Sequence, residues 1–520
     1  MLGTLIRKEL LGNLLTLRLG VALLFTVGLA VLTTVIGSID YSRSVERYES
    51  ELRDRQTSLE EVTVYRNVQP RILVPPLPLS IFSRGLVQTS GQSVWIDIDY
   101  VPLASWPVGS FDNRLMNVLT QIDFTTVVAI LLSFLAIVLG FDAICGERER
   151  GTLSLVLTNP VARGKIVAAK LIGGIISLWV PFTIAFIICL LIAMANPNWI
   201  ATGEDWLRLG LLFVLCCLFL AQIFAFSLMV SALAQDASTA LIICLFSWLV
   251  GGVGYISFLP SVSRFGVDEP AADIWRNQNR ELWDHLGDQM AEWGTRHPSP
   301  GDAYIKTVDR DGVGRFGHPR GYAWLEKRHA FEMDKRLERA DSAYEVQWAN
   351  WGALAREAYL VDDWSILSPF TNFQVLCYTL ANTSLDDTFY LGDLGRDYRD
   401  TYISYLRSKG ALTGRRWFTD DAPDQEPLIP DPASVTTDML APDSPFMLAR
   451  MAWAEEQLRL AASDDNRRLD LSDMPKFDSK WRRTLGESLV QMTAGLVVLI
   501  LTTGLALLVA MQRFQRYDPR

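Results

Sequence analysis

Histidine is scarce, and cysteine nearly so. The four His of the 520 residues are His285, His297, His318 and His329. Zinc needs three or four convergent ligands, and these four lack the tight spacing that would supply them. They are read as structural or surface groups, and no metal site is expected. The six Cys form no CxxC. Five of them (Cys145, Cys189, Cys216, Cys217, Cys244) lie in or beside apolar runs, which leaves Cys377 alone in a polar segment. That excludes a disulfide framework. A phosphate-binding loop is also missing. It needs G-x-x-x-x-G-K-[S/T], because glycines let backbone N–H groups cradle phosphate while Lys neutralises it. The only Gly-Lys pair, Gly164-Lys165, is followed by Ile166, and Asn159 stands where the first glycine belongs. Basic charge is not in excess either. With 48 Lys and Arg against 58 Asp and Glu, nothing points to nucleic acid. "DRDGVGRFG" (309–317) lacks the third acidic ligand and closing Glu of a calcium loop, so it is read as a turn.

Apolar sequence is what the chain has in quantity. Half of it is hydrophobic, and uncharged runs fall near 19–39, 124–141, 171–195, 209–233, 239–259 and 488–511. Each approaches the roughly 20 residues that cross a bilayer core as a helix. One such run could be the buried helix of a soluble protein; six are read as six transmembrane helices. The start, "MLGTLIRKELLGNLLTLRL", resembles a signal peptide, but Glu9 interrupts its basic region and no small-x-small cleavage site is clear. It is read as a retained anchor, with "LGTLIRKELLGNLL" as an interfacial helix. Arg7, Lys8 and Arg18, the basic residues of 142–170, and Arg513, Arg516 and Arg520 fall on one side under alternation. That side is assigned as cytoplasmic, with both termini on it.

Two long polar segments then lie outside. In 40–123, "SVERYESELRDRQTSLEEV" reads as a charge-paired helix continuing the first span, and "SVWIDIDYVP" as a half-exposed strand. The prolines of "PRILVPPLPLSIFSRGL" force an extended path. Segment 260–484 carries 38 acidic and 28 basic residues, so the negative charge of the chain resides there. It reads as mainly helical, with helices over 321–360, 384–409 and 443–463. Ser384 and Asp387 form a cap signature at the start of the second, and 410–442 is an irregular Pro- and Asp-rich loop. The fold expected is an all-α polytopic membrane protein. It comprises 1–39 (interfacial helix and first span), a small mixed α/β external segment 40–123, spans two to five in 124–259, a large mainly helical external domain 260–484, and 485–520 (sixth span and cytoplasmic tail). Pro181 should kink the third span. "GGVGY" (251–255) suits close helix approach. Acidic pairs Asp362-Asp363 and Asp420-Asp421 could serve as hydrolase carboxylates only with geometry that sequence does not supply.

The cytoplasmic loop 142–170 holds the sharpest pattern. "GERERGTL" (146–153) places four charges at the mouth of a span. "ERERGTLSLVL" can form a short amphipathic helix that Asn159-Pro160 breaks. Two readings are open from composition: a helix that docks into a soluble partner, or a solvated positive-inside loop. "FDAICGERERGTLSLVLTNPVARGKIVAAKLIGG" resembles the signature of ABC permeases of the type-2 exporter class. These show E-R-E-x-G-T-L after a span, then a leucine-rich stretch, then Pro, Arg and Lys. Glu147, Arg148, Glu149, Gly151, Thr152, Leu153, Pro160, Arg163 and Lys170 stand in that order. "IRKELLGNLLTLR" is similar to the interfacial helix of that class. "PPLPLSIFSRGL" (75–86) and 367–406 resemble a subgroup with a large external domain between spans five and six.

The resemblance implies a non-catalytic permease subunit in a bacterial inner membrane. It further implies that Glu147, Arg148, Glu149, Gly151, Thr152, Leu153, Pro160 and Arg163 form the ATPase-coupling element. ATP and Mg would be bound by separate ABC ATPase subunits, a second permease copy or homologue would complete a dimer, and a periplasmic protein would be a further partner. Two other readings stand beside transport. In a mechanotransmitter, the ATPase cycle moves the external domain and nothing crosses. In a membrane-anchored external enzyme, the spans serve only as anchor. Substrate and direction are not readable from sequence.

Overall fold

The computed structural model describes the chain apart from residues 1, 15–16, 86–92, 103–121, 154–161, 256–257, 260–271, 302–303, 305–306, 311–312, 317, 422–431, 464–466, 478–480 and 517–520. Helix α1 (Leu2–Leu14) precedes α2 (Leu17–Glu60), which runs without a break through 44 residues. The first span therefore continues as the charge-paired helix, with Arg43–Asp40 and Arg53–Glu49 contacts at 3.7 Å. The other spans are α3 (Phe124–Glu149), α4 (Arg163–Met194), α5 (Gly203–Leu233) and α6 (Ala237–Gly254), followed much later by α12. Among the described residues, six helices are long and apolar enough to cross a membrane. Helix α4 passes through Pro181 as one element, and α3 contains a π-helical turn over Val128–Leu132.

Beyond α6 come α7 (Ala272–Arg296), the hairpin β3 (Thr307–Arg310) and β4 (Val313–Phe316), α8 (Pro319–Ser365), α9 (Pro369–Leu380), α10 (Leu385–Ser408), α11 (Pro445–Ser463) and α12 (Leu485–Gln515). The expected capping box is present, with Ser384 and Asp387 joined at 2.6 Å. The predicted strand at 93–102 is shorter than its alternation suggests. Only β2 (Ser93–Trp95) pairs, antiparallel, with β1 (Arg71–Leu73) in the proline-bounded stretch.

Two large cores, among the described residues, organise the molecule. One is the helix bundle, filled by aromatic contacts such as Phe182 against Phe213 and Phe124 against Phe186. The other joins the two polar segments into one body. Ile72 and Val94 from the small segment share it with Met333, Tyr402 and Leu406 from the large one. Tyr402 donates to the Val68 carbonyl at 3.0 Å and Arg399 to that of Ile98 at 2.8 Å. These long-range bonds are invisible to local pattern.

Helix α9 belongs to the first core, although its sequence lies within the polar segment 260–484. Its 12 residues extend about 18 Å, the length of a re-entrant or buried segment. Phe373 stacks on Phe219 of α5 at 4.3 Å, Asn372 donates to the Gly495 carbonyl of α12 at 3.0 Å, and Gln374 to Thr126 of α3 at 3.3 Å. The "GGVGY" stretch packs against it. A side chain at Gly252 would meet the ring of Phe370 at 3.4 Å, and Ser368 donates to the Gly251 carbonyl.

Candidate coupling site

At one end of the bundle, α3 leaves the core and makes a turn at 141–144 before its last helical turn, Cys145–Glu149. The Ser231 hydroxyl of α5 fixes this exit by accepting the N–H groups of Ile144 at 2.9 Å and Cys145 at 3.2 Å. Gly151 then takes φ +70°, a left-handed ending that favours glycine after a helix.

The charged residues that follow point in different directions. Glu147 turns inward: one oxygen lies 3.0 Å from the Lys170 ammonium of α4, the other 3.6 Å from Lys8 of α1. Lys170 also meets Glu9 of α1 at 3.1 Å, and only 3% of its side chain is exposed. A buried ammonium is tolerated only when paired; here it is shared by two carboxylates from two other elements. Arg148 donates to the carbonyl of Ala234, which closes α5. Glu149 accepts the Ala237 N–H at 3.3 Å, at the start of α6, where the helix dipole favours a carboxylate. Arg163 donates to the Gln515 carbonyl at 2.7 Å, at the end of α12, where that dipole favours a cation. Leu153 is buried against Ile144, Ile166, Leu228 and Phe514.

Of the residues singled out in sequence, Glu147, Arg148, Glu149, Leu153 and Arg163 thus bind the loop to its own bundle, Glu149 by its one contact with α6. Glu149, Gly151 and Thr152 are exposed, and so is Arg150. Pro160 lies outside the described residues. Sequence reasoning missed Lys8 and Glu9 as partners of the site. The available signals were faint: one acid within a basic start, and Lys170 at the mouth of an apolar run.

The opposite end has its own node. Arg208 of α5 is 1% exposed and spends its guanidinium on five partners, one of them the Ser488 hydroxyl at 3.1 Å. It donates to the Leu380 carbonyl at 2.8 Å, Asn382 at 2.6 Å, the Arg483 carbonyl at 2.8 Å and Glu204 at 2.9 Å. One side chain so joins α5, the α9–α10 turn and the start of α12. Asn382 holds φ 57° there, a conformation that Asn adopts more readily than most residues.

The four histidines are dispersed. His318 accepts the Arg320 N–H at 3.2 Å at the start of α8, His297 stacks on Trp293, and His285 meets Gln289. His329 is buried against Trp417, and burial pushes its imidazole down to about 3.

The family described as "ABC-2 family transporter protein" matches residues 4–518. A "Probable ABC transporter permease protein NosY" of Pseudomonas aeruginosa is 31% identical over 144 residues, 27% of this chain and 52% of the relative. Its namesake in Stutzerimonas stutzeri is 41% identical over 54 residues, 10% of this chain and 20% of that protein. The chain spans about half the length, or less, of the curated relatives it matches.

Proposed function

Because the chain belongs to the ABC-2 family of transporter proteins, we propose that it is the permease subunit through which a separate ATPase drives the export or movement of a substrate. The end bearing Glu149–Thr152 faces the cytoplasm of a bacterium, both termini lie there, and the polar body stands outside the inner membrane. ATP and Mg are bound by the ATPase, and a second permease copy or homologue completes the transporter.

The observation that carries this reading is the division of labour in the loop. Glu149, Arg150, Gly151 and Thr152 form an exposed edge, while their neighbours tie it to α1, α4, α5 and α12. An ATPase that seats on the exposed edge therefore moves several helices at once. The test exchanges the exposed charges, Glu149→Lys with Arg150→Glu, and measures recovery of the ATPase with tagged permease. Recovery should fall roughly tenfold with permease abundance unchanged; unchanged recovery would remove the assigned role.

Mechanotransmission has one observation behind it: α2 passes from the bundle into the polar body as one helix. On that reading the ATPase cycle tilts the body against a periplasmic partner. The continuous element is the first span, whereas α12 starts afresh at a Thr484 capping box.

A further inference from the structure

A cleft of about 350 Å³ lies where the far end of α2 passes β1, within the range of ligand pockets, about 300–1,000 Å³. Its helical wall includes Glu51, Asp54, Arg55, Ser58 and the apolar Leu59, and its other wall includes Arg71 and Leu73. The helix positions recur at three- and four-residue spacing, so they share one face.

The strand wall has free hydrogen-bonding capacity. The Ile96 N–H donates to the Pro70 carbonyl at 3.0 Å. In an antiparallel ladder, bonded and non-bonded pairs alternate. With Ile72 opposite Val94, residues 70 and 72 turn their backbone groups toward β2, while Arg71 and Leu73 turn theirs away. Among the described residues, the N–H groups of Arg71 and Leu73 and the Leu73 carbonyl make no hydrogen bond. Such an edge is a template for an added strand.

Charge says what kind of strand. Arg55 is engaged with the Arg71 carbonyl, and the Arg71 guanidinium lies over the ring of Trp95. The carboxylates of Glu51 and Asp54 hold no hydrogen bond or ion pair among the described residues. Arg55 and Arg71 are held by a carbonyl and a ring, whereas the Asp54 carboxylate has no partner among the described residues and Glu51 only the more distant charge of Arg71. We infer that this cleft binds an extended polypeptide segment bearing Lys or Arg, which adds as a strand to the free edge of β1 and places its cations against Glu51 and Asp54. Because α2 is also the first span, such a segment docks on the continuation of a bundle helix. This site stands whether or not the chain couples to an ATPase.

The test uses the full-length protein in lipid nanodiscs and a fluorescent, end-blocked Val-Lys-Val-Lys-Val peptide, read by anisotropy. Binding is expected. It should weaken by about tenfold or more for Val-Glu-Val-Glu-Val, for the backbone N-methylated Lys peptide, and for protein carrying Glu51→Lys with Asp54→Lys. Lys is a good helix former, so the exposed double variant should keep the parent melting temperature. Four results would each overturn the inference. They are no binding of the Lys peptide, equal binding of its N-methylated form, equal binding of the Glu peptide, and self-association of the protein that the double variant abolishes, which would make a second copy the occupant. Recovery of the ATPase is a separate readout that the double variant should leave unchanged.

Discussion

Single side chains at both ends of the bundle join elements far apart in sequence. Lys170 is the clearest case, because its ammonium is buried between Glu9 and Glu147. Lys170→Met would leave two carboxylates facing one another, and breaking a buried pair costs about 3–5 kcal/mol. Thermal unfolding of purified Lys170→Met should show a loss of that order. Adding Glu9→Gln and Glu147→Gln should recover most of it; no recovery would mean that packing, not charge, accounts for the loss. His329 gives a prediction of another kind. Burial holds it neutral in the fold, with a value of about 3, and the Arg336 and Arg66 charges act in the same direction. Unfolded, it titrates near 6.5. Its contribution is complete above that value and is lost as pH falls toward about 3, at up to roughly 1.4 kcal/mol per pH unit. Acid unfolding of His329→Phe should have a shallower slope across this window, and an unchanged slope would contradict the assignment.

Helix α9 shows how an element can escape a reading of its own sequence. "PFTNFQVLCYTL" carries Asn372 and Gln374, and at 12 residues it is too short to register as a span. Those amides pair with α12 and α3 inside the bundle, so polarity that suggests exposure is satisfied in the core. Truncation of Phe373, stacked on Phe219, should cost about 3–5 kcal/mol. A detergent-melting experiment in which Phe373→Ala matched the parent would remove α9 from the core. The spans were legible because apolar length is a local property, and so was the capping box at Ser384. The shortness of β2 was not, since a strand needs a partner and only Arg71–Leu73 pairs with it. Helix α2 was legible as two pieces, apolar and then charge-paired, with no breaker between them. Arg47→Pro would interrupt it at a cost of about 3 kcal/mol. If the polar body works by tilting on α2, this variant should abolish action on a periplasmic partner while ATPase recovery persists. If transport is the function, partner capture should be insensitive to it.

The whole molecule is a bundle with a tied loop at one end and a two-segment polar body at the other. The motif of the loop could be read along the chain, but the direction of each charge could not. Glu147 and Glu149 are two residues apart and about 200° around a helix. One serves the bundle through buried Lys170, and the other stays exposed with a single contact at the start of α6. The union of the polar segments was equally hidden, because Tyr402 and Val68 meet only after the spans have brought their ends together. The most direct test of the central claim is a photo-crosslinker placed at Thr152 in the native membrane, with mass spectrometry of the adduct. The proposed function predicts a nucleotide-binding ATPase as the main partner, and none from a control crosslinker at Ser58 on the far end of α2. Crosslinks from Thr152 to lipid alone, or to no P-loop protein, would contradict it.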